Sequence, residues 1–137
     1  MSQNQRNICV LLVTMDAHWR SRCMELIQNA GCEAYTASTG LQTIALLHTY
    51  IFDIVSIDDT IPDFGVIELS LTIKDIAANK PILLATGENI QRFSGILQRC
   101  GIFLAGTEKE FRKNLLSAIE KLSLYGHPGR QFPTSPT

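Results

Sequence analysis

Apolar positions along this chain follow two alternating rhythms: short continuous runs, and longer stretches in which they recur three or four residues apart. Ile8-Cys9-Val10-Leu11-Leu12-Val13 is almost unbroken, the pattern of a central parallel strand covered on both faces. The next segment predicts a helix, with Asp16 placed to cap it, Trp19, Cys23, Leu26, Ile27 and Ala30 forming one stripe, and Gly31 ending it. A second strand is expected over 32–37. A helix starting near Ser38 or Thr39 should bury Leu41, Ile44 and Ala45, with Leu47 and His48 at the edge of that face. Ile54 to Ile57 forms the third strand, followed at once by Asp58.

The second half repeats the rhythm. Val66, Leu69, Ile73 and Ile76 predict a third helix, although Ser70 and Thr72 are weak helix formers. Pro81-Ile82-Leu83-Leu84-Ala85-Thr86 reads as a fourth strand with proline at its first position, where a missing N–H costs little. Gly87 and Glu88 open a loop, Ile90, Phe93, Ile96 and Leu97 form the stripe of a fourth helix, and Gly101 ends it. A short fifth strand over 102–105 precedes a last helix, opened by a capping box of Thr107 and Glu110 and carrying Phe111, Leu115, Ala118, Ile119 and Leu122 on one face.

Strands alternating with helices imply an α/β fold, a parallel sheet with helices on both faces. The expected architecture is a flavodoxin-like (βα)5 three-layer sandwich with strand order 2-1-3-4-5. In such sheets functional groups gather outside the carboxyl ends of the strands, at the switch in strand order. That rim would present Thr14, Met15, Asp16, Asp58, Asp59, Thr86 and Gly87.

The chain has 137 residues, 45% hydrophobic and 18% charged, which suits one compact domain over 1–122 with a flexible tail or linker over 123–137, where three prolines and two glycines gather. A formal net charge of −1 with scattered cations offers no field for nucleic acid. No apolar run approaches the roughly 20 residues that span a bilayer, and the start lacks a signal-peptide core, so a cytoplasmic protein is expected. Cys9, Cys23, Cys32 and Cys100 are too widely spaced for a Cys-x-x-Cys site and read as small buried hydrophobes. His18, His48 and His127 are isolated, without zinc-site spacing.

Asp58-Asp59-Thr60-Ile61-Pro62, an aspartate at a strand end followed four positions later by proline, resembles the phosphoacceptor segment of bacterial response-regulator receiver domains, the CheY-like family. Phe64-Gly65-Val66-Ile67-Glu68-Leu69 resembles that family's Met-Asp-Gly-Leu-Glu-Leu with the Asp-Gly pair altered, and Pro81 to Gly87 resembles its fourth strand, with Thr86 as the terminal hydroxyl residue. Thr39-Gly40 and Ala30-Gly31 also fall where the family pattern expects them. The resemblance extends from about Asn7 to Leu122. It implies that Asp58 stands where the family accepts a phosphoryl group from a histidine kinase, and that Phe103 stands where the family has an aromatic switch residue.

The departures from that pattern bear on function. Receiver phosphorylation needs a divalent cation to neutralise charge in a loose transition state, and magnesium favours carboxylate and water oxygens. Thr14 and Met15 occupy the positions of the family's acidic pair, and a thioether is a poor ligand for so hard an ion. Asp16 comes one residue late and is better placed to cap the first helix. The family's Lys-Pro pair is missing from Phe103-Leu104-Ala105-Gly106-Thr107, and Lys109 lies inside the last helix.

The sequence thus points to a non-enzymatic, atypical or pseudo-receiver domain that acts in two-component-type signalling through protein–protein interaction, without ordinary aspartyl phosphorylation and without a cofactor. Asp58 then serves as a structural acceptor in its turn. Its partners would be a protein or effector domain, among them a histidine kinase, or a second copy through the face of the fourth helix, fifth strand and fifth helix. That face carries Arg92, Gln98, Arg99, Lys109, Arg112 and Lys113. One alternative is a phosphorelay receiver modified inefficiently on Asp58, which alone would require magnesium. Another is a small-molecule site at the same rim, against which stands the absence of phosphate-cradling glycines in Thr14-Met15-Asp16-Ala17-His18.

Overall fold

The computed structural model describes residues 7–86 and 91–124. The strands are β1 (Cys9–Val13), β2 (Glu33–Ala37), β3 (Ile54–Asp58), β4 (Ile82–Ala85) and β5 (Ile102–Leu104). The helices are α1 (Ala17–Asn29), α2 (Gly40–Thr49), α3 (Val66–Ile76), α4 (Ser94–Arg99) and α5 (Glu108–Leu124), and a 3-10 turn (Gln91–Phe93) leads into α4. Among the described residues the strands form one parallel sheet in the order β2-β1-β3-β4-β5, the order expected from the sequence. The expected loop at Gly87 and Glu88, the fourth-helix residue Ile90 and residues 125–137 of the expected tail lie outside the described residues, and the first two residues of that tail, Ser123 and Leu124, belong to α5.

Side-chain alternation along each strand divides the core into two layers. Leu11, Val13, Val55, Ile57, Ile82 and Leu84 face α2 and α3, where Val66, Leu69 and Ile73 meet them. Val10, Leu12, Ile54 and Leu83 face α1 and α5, against Cys23, Ile27, Phe111 and Leu115. Each fully buried Leu, Ile or Phe contributes about 1.5–3 kcal/mol. The continuous apolar runs of the sequence are therefore the strands buried on both faces.

Helix ends follow local chemistry. The Asp16 carboxylate accepts from the Trp19 N–H at 3.0 Å, and Gly31 at φ 82° turns the chain out of α1, a left-handed conformation that favours glycine. Gly101 does the same after α4 at φ 78°. Thr107 and Glu110 form the expected capping box, each accepting the other's backbone N–H, at 3.2 and 3.1 Å. Ser70, fully buried inside α3, returns its hydroxyl proton to the Val66 carbonyl at 2.7 Å. That bond reconciles a weak helix former with its place in the core.

Three expectations need correction. In α2 the inward face is Gly40, Thr43, Ile44 and Leu47; Leu41 is 67% exposed and Ala45 is exposed as well. The register is set by Gly40, where an added Cβ would collide with the Phe64 ring. In the 3-10 turn and α4 no residue is buried: Phe93 and Ile96 are exposed and Leu97 is half-buried. This helix has six residues, too short to carry a full amphipathic face onto the sheet. Among the cysteines Cys23 and Cys32 are buried, but Cys9 is half-buried and Cys100 exposed, and no disulfide joins any of them among the described residues. No helix of the described residues is long and apolar enough to cross a membrane.

Candidate functional site

The carboxyl ends of β1, β3 and β4 meet at one rim. Val13 pairs with Ala37 and Ile57, and Asp58 pairs with Ala85, so Thr14 and Asp58 leave their strands side by side. Both point to the α1–α5 side, above Cys23. Burial pushes the Cys23 thiol up to about 12, helped by the carboxylates of Glu108 and Asp58.

Asp58 is 5% exposed and Thr14 is fully buried. The Thr14 hydroxyl donates to Asp58 Oδ2 at 2.5 Å. The Thr60 hydroxyl donates to Asp58 Oδ1 at 2.6 Å, and the Thr60 N–H donates to the same oxygen at 3.1 Å. Two threonines thus clamp the carboxylate, one from β1 and one from the turn after β3. The clamp is tied to the next loop, because Thr60 Oγ1 accepts from the Met15 N–H at 2.8 Å and Thr14 Oγ1 from the Asp16 N–H at 3.0 Å. Among the described residues no lysine or arginine forms an ion pair with Asp58.

Each residue named from the sequence can now be placed. Thr14 and Asp58 are brought together. Met15 is 50% exposed, and its contact with the site is through its backbone N–H. Asp16 caps α1, the role favoured by its position. Thr86 stands at the end of β4, where its hydroxyl donates to Asp59 Oδ2 at 3.1 Å. Phe103 lies on β5, half-buried, with the Lys121 ammonium 5.7 Å from its ring centre, so it faces α5. At the end of β5, Ala105 is buried and its N–H donates to the Leu84 carbonyl at 2.8 Å. Lys109 is exposed in the first turn of α5. Gly87 lies outside the described residues.

The divalent cation that the resemblance implies can be tested against these donors. Thr14 offers a hydroxyl already committed to Asp58, Met15 a soft thioether, and Asp16 a carboxylate that caps a helix. Among the described residues no group of three His, Cys, Asp or Glu side chains is arranged to hold a metal ion. Thr14, Met15 and Asp16 do not form the carboxylate-rich set that magnesium favours beside Asp58.

Sequence reasoning missed three participants. Thr60 lies in the turn after Asp58, where its N–H and hydroxyl reach the carboxylate locally, but its link to the Met15 N–H exists only because β1 lies beside β3. Arg20, half-buried on α1, donates from Nη2 to the Thr14 carbonyl at 3.1 Å and braces the end of β1. Asp63 accepts from the N–H groups of Gly40 and Leu41 at 2.8 and 3.0 Å, which holds its carboxyl below the usual range and joins the β3–α3 loop to the start of α2. At the opposite end of β3, Asp53 is fully buried, accepts from the Cys9 N–H at 2.8 Å and faces Lys80 at 3.8 Å.

Comparison with known proteins places this geometry. No family model and no curated protein matches the chain. Solved structures do match. A CheY-like response regulator receiver domain protein from Methanospirillum hungatei JF-1 superposes with a TM-score of 0.73 at 15% identity, covering 88% of this chain and 100% of that one. The chemotaxis response regulator CheY4 of Vibrio cholerae gives 0.70 at 21% identity, covering 82% and 99%. The signal receiver domain of an HD domain-containing protein from Pseudomonas fluorescens Pf-5 gives 0.71 at 18% identity, covering 87% and 99%. With its strand order and its aspartate at the end of β3, the chain has the flavodoxin-like fold of CheY-like response-regulator receiver domains.

Proposed function

We propose that this chain is an atypical receiver domain, a non-enzymatic module of two-component signalling that works by binding proteins and does not depend on phosphorylation of Asp58. The observation that carries the reading is the hydroxyl clamp. A phosphoacceptor carboxylate must present an oxygen in line with the donor, beside a cation that neutralises the developing charge. Here the oxygens of Asp58 accept from Thr14 and Thr60, and the neighbouring side chains do not suit the cation. No phosphoryl step is therefore assigned to the site.

The face of α4, β5 and α5 supports the binding role. Phe93 at the end of the 3-10 turn and Ile96 on α4 expose apolar surface beside the exposed cations Arg92, Arg99, Arg112 and Lys113. An effector domain, a histidine kinase or a second copy of this chain are the classes of partner that such a face serves. The test is an NMR titration with beryllofluoride and magnesium. The reading expects no shift of the Asp58, Thr14 or Thr86 amides; saturable shifts that need both magnesium and Asp58 would replace it with a phosphorelay receiver.

A further inference from the structure

Three aromatic rings gather at the amino-terminal end of the sheet, on the side that carries α2 and away from the Asp58 rim. β2 is an edge strand, and Tyr35 on it keeps about half of its surface exposed. α2 ends at Thr49, and Tyr50 takes an extended conformation that leads the chain to Phe52, just before β3. The buried Phe52 ring packs edge-on with both tyrosines, 5.7 Å from Tyr35 and 6.5 Å from Tyr50 between centres. With Cys9, Leu46 and Ile51 these rings line a cavity of about 680 Å³, a volume suited to a small organic molecule. The lining holds no lysine, arginine or histidine. A carboxylate lies against its edge, because the Tyr35 hydroxyl and the Cys9 thiol donate to Glu33 Oε1 at 3.0 and 3.6 Å.

We propose that this cavity binds a small organic cation bearing a quaternary ammonium group, with its charge against the Tyr35 and Tyr50 rings and its methyl groups against Leu46 and Ile51. Charge complementarity selects the occupant. Aromatic rings carry negative charge on their faces and attract a cation that has shed its water. The hydrogen bond from the Tyr35 phenol to Glu33 sends further electron density into that ring, and the same bond pushes the phenol pKa up, so the proton stays in place. An anion meets only negative charge here. A metal ion or a primary ammonium would give up hydrogen bonds to water that an apolar lining cannot replace, whereas an alkylated ammonium has no N–H to satisfy. The site uses no residue of the Asp58 rim or of α4, β5 and α5, and it stands whether or not Asp58 is phosphorylated.

The test uses the whole chain, isotopically labelled, titrated with choline chloride at constant ionic strength. A parallel titration uses the neutral isostere, the alcohol in which a tert-butyl group replaces the trimethylammonium. Choline should give saturable amide shifts concentrated at residues 33–35 and 49–52. It should bind about threefold or more tighter than the isostere, and Tyr50→Leu, which keeps apolar bulk at an exposed position, should weaken it by a similar factor. Phe93→Leu, which removes an exposed ring near the opposite edge of the sheet, should leave choline binding unchanged. Absence of saturable shifts at those residues, equal binding of the isostere, or equal weakening by Phe93→Leu would overturn the proposal. A trimethyl-lysine peptide that bound more than about tenfold tighter than choline would overturn the assignment to a small cation, in favour of a modified protein chain.

Discussion

Replacement of Thr14 by valine probes the hydroxyl clamp directly. Valine keeps the β-branched shape of a fully buried side chain, so the change is chemical rather than steric. It removes the hydrogen bond to Asp58 Oδ2 and the acceptor for the Asp16 N–H. A hydrogen bond to a charged group contributes about 1.5–3 kcal/mol, and the abandoned oxygen belongs to a carboxylate only 5% exposed. Asp16 is exposed, so its N–H can turn to water at little cost, and the added methyl recovers about 0.8 kcal/mol of burial. Thr14→Val should therefore destabilise the domain by about 0.7–2.2 kcal/mol. Urea unfolding followed through Trp19, which packs edge-on against Phe111 at 5.8 Å, measures it. A cycle with Asp58→Ala should return a coupling above about 1 kcal/mol, because the second mutation removes the group that the first abandons. A loss under about 0.5 kcal/mol, or additive single changes, would refute the claim that Thr14 holds Asp58.

Gly40→Ala should cost about 1–3 kcal/mol through collision with the Phe64 ring, and most of that loss should vanish in a Phe64→Ala background; an equal cost in both backgrounds would contradict the packing. A maleimide should label the exposed Cys100 promptly in the native protein and Cys23 only on unfolding, since burial pushes that thiol up to about 12; comparable rates would place Cys23 at the surface. Arg22 forks Glu108 with two 3.0 Å bonds, joining α1 to α5, and holds that carboxyl below its usual value. A depressed carboxylate contributes stability above its unfolded pKa and loses it as pH falls through the folded one, so the small deficit of Arg22→Gln should be present at neutral pH and disappear in acid. A deficit that grew on acidification, measured by urea unfolding across pH, would reverse that sign.

The sheet was legible because strands buried on both faces leave continuous apolar runs, and Val10 to Val13 and Ile54 to Ile57 could be little else. Caps were legible for a similar reason: Asp16, Gly31, Thr107 and Gly101 act within a few residues of their own position. The errors came where burial depends on distant partners. Ile96 has helical spacing but sits on a short α4 that leaves it 55% exposed, and Leu41 loses its place in the core because Phe64, 23 residues beyond Leu41, packs against Gly40. The site was half legible. Asp58, Thr14 and Thr86 were named from strand ends, but the tie from Thr60 to the Met15 N–H and the brace of Arg20 on the Thr14 carbonyl form only when the fold brings them together. What the sequence recorded as a missing acid is, in three dimensions, a hydroxyl that occupies the carboxylate.

Incubation of the intact chain with acetyl phosphate and magnesium, read by intact mass beside Asp58→Ala, tests the central claim most directly. The account predicts unmodified protein in both samples while the amide spectrum shows a folded domain. A mass increase of one phosphoryl group that requires magnesium and disappears in Asp58→Ala would contradict it.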